Sequence, residues 1–100
     1  MLIHRGFNYD VKYEKTAEKF FKKHEDVRKK YIKELNELFN GNNPERVNVK
    51  VLKGKKNEYY RMRIGEWRVI YMIIDGKITV INTVLAGSRG DIYKKMDGLN

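Results

Sequence analysis

Two turn dipeptides constrain this chain more than any other feature. Gly65-Glu66 and Asp75-Gly76 separate three β-rich runs, 59–64, 67–74 and 77–85. The first pair suits a two-residue type II′ turn and the second a type I′ turn. Strands joined in this way run antiparallel, so the C-terminal half predicts a three-stranded meander. The N-terminal half obeys another period. Between residues 15 and 39, Ala17, Phe20, Phe21, Val27, Tyr31, Ile32, Leu35, Leu38 and Phe39 recur at three- and four-residue steps, with lysines filling the other face. Lys23-His24-Glu25-Asp26 interrupts this stripe, which leaves one helix or two joined near His24. Asn40-Gly41 predicts a left-handed helix stop, followed by a polar loop to Pro44. Ahead of the helices, residues 7–14 place Tyr9, Val11 and Tyr13 on one parity and Asn8, Asp10 and Lys12 on the other, the period of a half-buried strand. Residues 47–52 read as a short strand or an extended approach to the meander, and 90–96 as a closing helical turn.

The class is therefore α+β: an N-terminal strand, a helical pair, then an antiparallel meander, forming one sheet with helices packed on one face. One hundred residues, 41% of them apolar types, make a single domain over 1–100 with one core. Lys and Arg number 22 against 13 Asp and Glu, a formal charge of +9, which suits a polyanionic or acidic partner. With no cysteine, the chain has neither disulfides nor thiolate chemistry. His4 and His24 alone do not complete a metal shell, so no metal or other cofactor is expected. No run approaches the roughly 20 apolar residues of a membrane span, and residues 1–10 lack the apolar stretch of a signal peptide. A soluble, cytoplasmic protein with no membrane partner is expected.

Strand alternation sorts the meander into two faces. Tyr59, Arg61 and Arg63 share one, and Tyr60, Met62 and Ile64 share the other. A two-residue loop at Gly65-Glu66 sets Ile64 opposite Trp67 and Arg63 opposite Arg68, so Arg68 joins the arginine face. The same counting through Asp75-Gly76 sets Ile74 opposite Lys77, Ile70 opposite Ile81 and Arg68 opposite Thr83. Its parity carries on to Gly87 and brings Arg89 near Arg63 and Arg68. The opposite face, Met62, Ile64, Trp67, Val69, Tyr71, Ile73, Ile78, Val80 and Val84, is the expected core surface.

Like charges opposite one another destabilise a sheet, and no acidic residue of these strands relieves the arginines. A single arginine on an exposed face is commonly just solvated. Three or four converging guanidiniums instead suit phosphate, which they bind with paired, geometrically fixed hydrogen bonds. Lys50, Lys53, Lys55 and Lys56 extend the positive surface, and Tyr59 and Tyr93 add rings on which RNA bases can stack. The remaining polar candidates read more plainly: His4 and His24 as surface residues, Glu66 as a turn residue, Asp91 as a helix cap. Trp67 reads as core or interface packing, and the lysines of 15–33 as a solvated helix face.

Three segments carry a family resemblance: Val51-Leu52-Lys53-Gly54, Tyr60-Arg61-Met62-Arg63-Ile64-Gly65-Glu66-Trp67-Arg68-Val69-Ile70-Tyr71, and Ala86-Gly87-Ser88-Arg89-Gly90-Asp91-Ile92-Tyr93. In this order, over residues 9–93, the chain resembles the RelE toxins of the RelE/ParE superfamily. The resemblance implies an endoribonuclease that enters the ribosomal A site, cuts the exposed mRNA and is held inactive by a cognate antitoxin. By the same resemblance Arg61 and Arg63 match the family's basic strand residues, Arg68 its phosphate-stabilising arginine, Arg89 its later arginine and Tyr93 its C-terminal tyrosine. The best-characterised members carry lysine where this chain has Arg61 and Arg63. Arginine stays protonated at ordinary pH, which leaves the general base to Tyr93, to Lys53 or Lys55, or to the RNA and ribosome. Two other readings share the fold: a ParE-like binder of DNA gyrase, and a catalytically silent RNA-binding module.

Overall fold

Each change of hydrophobic period in the chain becomes a change of element in the computed structural model. It describes residues 8–52 and 58–99 in full and the backbone of Ile3–Arg5. Strands β1 (Ile3–Arg5) and β2 (Tyr9–Tyr13) form a short antiparallel hairpin, with Asn8 at φ +76, a conformation asparagine tolerates better than most residues. The single strand expected over 7–14 is thus β2, where Tyr9, Val11 and Tyr13 are buried, preceded by an edge strand that lacks a periodic signal. Helices α1 (Lys15–Lys23) and α2 (Glu25–Asn40) follow, broken at His24 (φ −136, ψ 61). Glu25 and Asp26 open α2, where negative charge complements the helix dipole.

Gly41 ends α2, but with φ −85 rather than in the expected left-handed conformation. Glycine is needed there because a Cβ would lie 2.6 Å from the Glu37 carbonyl oxygen. A 3₁₀ turn, Pro44–Arg46, leads into β3 (Val49–Leu52), which pairs antiparallel with β4 (Tyr59–Ile64). Strands β5 (Trp67–Ile74) and β6 (Thr79–Ser88) and helix α3 (Arg89–Met96) complete the chain. The sheet order is β1-β2-β6-β5-β4-β3, with β2 and β6 parallel and every other pair antiparallel.

The β4–β5 hairpin has the expected register: Ile64 pairs with Trp67 and Arg63 with Arg68. Gly65 takes φ +58 while Glu66 stays at negative φ, as a type II′ turn requires. The β5–β6 connection departs from expectation. Ile74 pairs with Val80, Ile70 with Leu85 and Arg68 with Gly87, with a bulge between Ile70 and Tyr71. Neither Asp75 nor Gly76 adopts the positive φ that a type I′ turn needs.

The shift has a packing cause. A tight turn would have pointed Ile78, Val80, Asn82 and Val84 at the helices and turned Thr83 away from Tyr31. A three-residue slip exchanges the faces. Ile81 and Thr83 point inward, where the Thr83 hydroxyl meets the Tyr31 hydroxyl at 2.7 Å, and Ile78 is left exposed. Thr83 is therefore not on the arginine face, and Val80 and Val84 are not in the main core. The bulge adds one residue and restores the original parity beyond it. Gly87 consequently lies on the arginine face as expected, but it is Gly87 and not Thr83 that stands opposite Arg68.

Helices α1 and α2 pack on one face of the sheet through Ala17, Phe21, Val27, Tyr31 and Leu35. These meet Val11, Tyr13, Met62, Val69, Tyr71, Ile81 and Ala86. Helix α3 covers part of the other face, where Ile92 and Met96 pack on Tyr59, Ile70 and Leu85. Its N-cap is Ser88, whose Oγ accepts from the Asp91 amide at 3.2 Å. Asp91 is a first-turn residue rather than the expected cap.

Candidate functional site

The sheet face that α3 leaves uncovered carries the arginines. Arg63 and Arg68 pair directly across the β4–β5 hairpin, and Arg61 lies two residues before Arg63 on the same side. They differ in setting. Arg63 is exposed, Arg61 is half-buried, and Arg68 is only 5% exposed. Arg68 Nη1 donates to the carbonyl oxygens of Gly65 at 2.9 Å and Trp67 at 3.0 Å, which fastens the side chain to its own turn. Arg61 Nη2 donates to Asn48 Oδ1 at 3.0 Å. The Nε atoms of both Arg61 and Arg68 are buried and have no hydrogen-bond partner among the described residues.

Helix α3 supplies the rest. The Arg89 amide donates to the Glu66 carbonyl oxygen at 3.0 Å, tying the start of α3 to the hairpin turn. Burial, and after it the positive charges of Arg63, Arg61 and Arg89, lower the pKa of Arg68, while Tyr93 acts in the opposite direction. The fold thus gathers Arg61, Arg63, Arg68, Arg89 and Tyr93 within electrostatic reach of one another. Tyr93 is 52% exposed, with a free phenol surface beside the guanidiniums. Among the described residues the two ion pairs, Lys22–Glu18 and Arg28–Glu25, lie on the helices, and neither touches this cluster.

Other sequence-derived candidates fare differently. Lys50 pairs with Arg61 across β3 and β4 and is exposed on the same face. Lys53, Lys55 and Lys56 lie outside the described residues. Tyr59 does not offer a ring for base stacking: it is 4% exposed and held against α3 and Ile70. His24 is not a free surface residue. Its ring stacks on Phe20 at 4.4 Å and leans on Trp67 at 4.7 Å, on the helix side of the sheet. The side chain of His4 lies outside the described residues. Asn48 escaped the sequence reading, yet its signal was present. Val47, Val49 and Val51 share one parity, so Asn48 and Lys50 belong on the other, which is the arginine face.

Among the described residues, no group of three or more His, Asp or Glu side chains could hold a metal. No helix there is long and apolar enough to cross a membrane. What the site offers is a dense set of guanidinium donors, two of them buried and unpaired, flanked by a phenol. That is chemistry for binding and polarising a phosphate.

A small basic α+β domain with this face belongs to a recognisable class, the compact toxins of two-component toxin–antitoxin systems. The family model described as "ParE toxin of type II toxin-antitoxin system, parDE" matches residues 11–90, and the chain belongs to that family, within the RelE/ParE superfamily. Among solved structures, it is similar to a chain in the crystal structure of the RelB-RelE antitoxin-toxin complex from Methanococcus jannaschii. The identity is 27%, the match covers 85% of this chain and 98% of that one, and the TM-score is 0.57. Comparison with curated proteins gives no match.

Proposed function

We propose that this toxin is an endoribonuclease that cuts mRNA in the ribosomal A site and is held inactive in the cytoplasm by a cognate antitoxin. The observation that carries the reading is the convergence of Arg61, Arg63 and Arg89 on Arg68, whose guanidinium feels the positive charge of the other three. Guanidiniums gathered without a carboxylate among them repel one another, and a phosphate relieves that repulsion while accepting paired hydrogen bonds. In the reaction, the 2′-oxygen of a ribose loses its proton and attacks the adjacent phosphorus. The resulting phosphorane carries extra negative charge, and the 5′-oxygen leaves as it takes up a proton. Arg68 and Arg61, held in place before substrate arrives, stabilise that charge at little reorganisation cost. Arg89, exposed at the start of α3, assists the leaving oxygen. Tyr93 is near these arginines, and a phenol oxygen can exchange a proton with the ribose or leaving oxygen, whereas a guanidinium keeps its own. The similarity to a chain from a RelB-RelE complex supports an antitoxin as partner, and the +9 charge favours an acidic one.

Primer extension on mRNA in translating ribosomes tests this, comparing wild type with Arg68→Ala and Arg89→Ala. Cuts are expected only with ribosomes present, and weaker by about a hundredfold or more in each variant. Absence of cleavage by folded wild-type protein removes the reading. The ParE family model favours a second one, inhibition of DNA gyrase. A supercoiling assay in which this protein arrests gyrase, with mRNA left intact, would establish that alternative. If RNA is bound but neither cut appears nor gyrase stops, the arginine face is a silent RNA-binding surface.

A further inference from the structure

Asn48 touches both arginines of β4. Its side-chain Oδ1 accepts from Arg61 Nη2 at 3.0 Å, and its backbone carbonyl accepts from the Arg63 amide at 2.9 Å. It stands just before β3, at the position where the strand parity faces the arginines rather than the core. The backbone bond would survive almost any substitution, whereas the side-chain bond depends on residue 48 alone. Among the described residues Asn48 is the one side-chain partner of Arg61, whose Nε is buried without a hydrogen bond. An arginine side chain held by one nitrogen has its guanidinium plane set by that contact, because the group is a rigid fork. Released, it regains the rotamer freedom that long side chains lose on ordering.

We infer that Asn48 is a positioning residue: it orients the Arg61 guanidinium so that the N–H groups outside this bond are directed to RNA phosphate beside Arg68. The inference rests on the phosphate-binding reading of this face, but its local part, the restraint of Arg61, does not depend on RNA. Asn48 is exposed and contributes nothing to either apolar cluster, so removal of its amide leaves the fold intact.

The experiment has two arms on the full chain. In the first, nitrogen-15 relaxation of the arginine Nε–H groups is measured without RNA. Asn48→Ala should loosen Arg61 and leave Arg68 unchanged, since Arg68 is held by Gly65 and Trp67. In the second, binding of a single-stranded, 2′-O-methyl oligoribonucleotide, which cannot be cleaved by 2′-hydroxyl attack, is measured by fluorescence anisotropy. Asn48→Ala and Arg61→Ala should each weaken binding about tenfold, the scale of one charge-assisted hydrogen bond. The double variant should be no weaker than Arg61→Ala, because Asn48 acts through Arg61. An Arg61 equally ordered in Asn48→Ala overturns the inference, as does a double variant showing the product of the two losses. If Arg61 is loosened but wild type binds no oligonucleotide, Asn48 restrains Arg61 without presenting it to RNA phosphate and the inference is overturned, while the ribonuclease reading is decided by the ribosome assay.

Discussion

Arg63 and Arg68 face each other across a hairpin with no carboxylate to separate them. On an antiparallel pair such an arrangement costs some tenths of a kcal/mol up to about 1 kcal/mol, and the cost marks a position shaped by something other than stability. Arg63 is exposed, so it can be neutralised without opening a cavity. Arg63→Gln should stabilise the fold by about 0.5 kcal/mol at low salt, with the gain shrinking as salt screens the pair. The same change should weaken RNA binding and reduce its salt dependence by about one counterion. Chemical denaturation and oligonucleotide titration at two salt concentrations check both effects. A variant that loses stability and keeps full RNA affinity would mean that Arg63 is a structural residue. Arg68 is a different case, because its Nη1 bonds to two carbonyls also hold the turn that presents it.

At the scale of elements, the hairpin that carries the arginines depends on Gly65, and the strand behind it depends on Thr83. Gly65 has φ +58 with open space where a Cβ would go, so Gly65→Ala meets only backbone strain, about 1 kcal/mol. Asparagine at the same position should cost less, and thermal denaturation of the two variants distinguishes strain from crowding. Tyr31→Phe removes the partner of the Thr83 hydroxyl, which is fully buried. A loss of about 1–3 kcal/mol is expected in urea unfolding, much of it recovered in the double variant Tyr31→Phe/Thr83→Val, which leaves no orphan. These two elements also mark where sequence was sufficient and where it was not. The Gly65-Glu66 turn is local, so counting residues placed Arg61, Arg63 and Arg68 on one face correctly. The β5–β6 register was decided by a contact between residues 31 and 83, remote in the chain. No local signal at Asp75-Gly76 revealed it. Arg89 was still brought to the right neighbourhood, because the slip and the bulge together shift the pairing by an even number. The burial of Tyr59 was illegible for a related reason: it depends on where α3 docks, and α3 has too short an apolar stripe for its docking face to be read in advance.

For the molecule as a whole, the core is unusually phenolic, and that sets its limit at high pH. Tyr9, Tyr13, Tyr31 and Tyr71 are all buried under the helical pair, and burial raises each of their pKa values. Tyr13 is pushed up to about 12, with Arg28 pulling in the opposite direction; Tyr31 and Tyr71 are also displaced upward by burial. In the unfolded chain a tyrosine titrates near about 10. Folded-state values above the unfolded one mean that the full stabilisation is present below about pH 10 and is lost as pH rises toward the folded values. Each tyrosine that ionises only on unfolding steepens the decline by about 1.4 kcal/mol per pH unit. The free energy of unfolding should therefore hold roughly level up to about pH 9.5 and then fall steeply by about pH 11. Tyrosinate absorbance from the buried set should appear together with loss of helix. Urea unfolding followed across that range, with circular dichroism and near-ultraviolet absorbance on the same samples, makes the comparison. A smooth tyrosinate titration with helix retained would show that the phenols reach water from the folded state, and that the sheet and helical pair separate more readily than this packing implies.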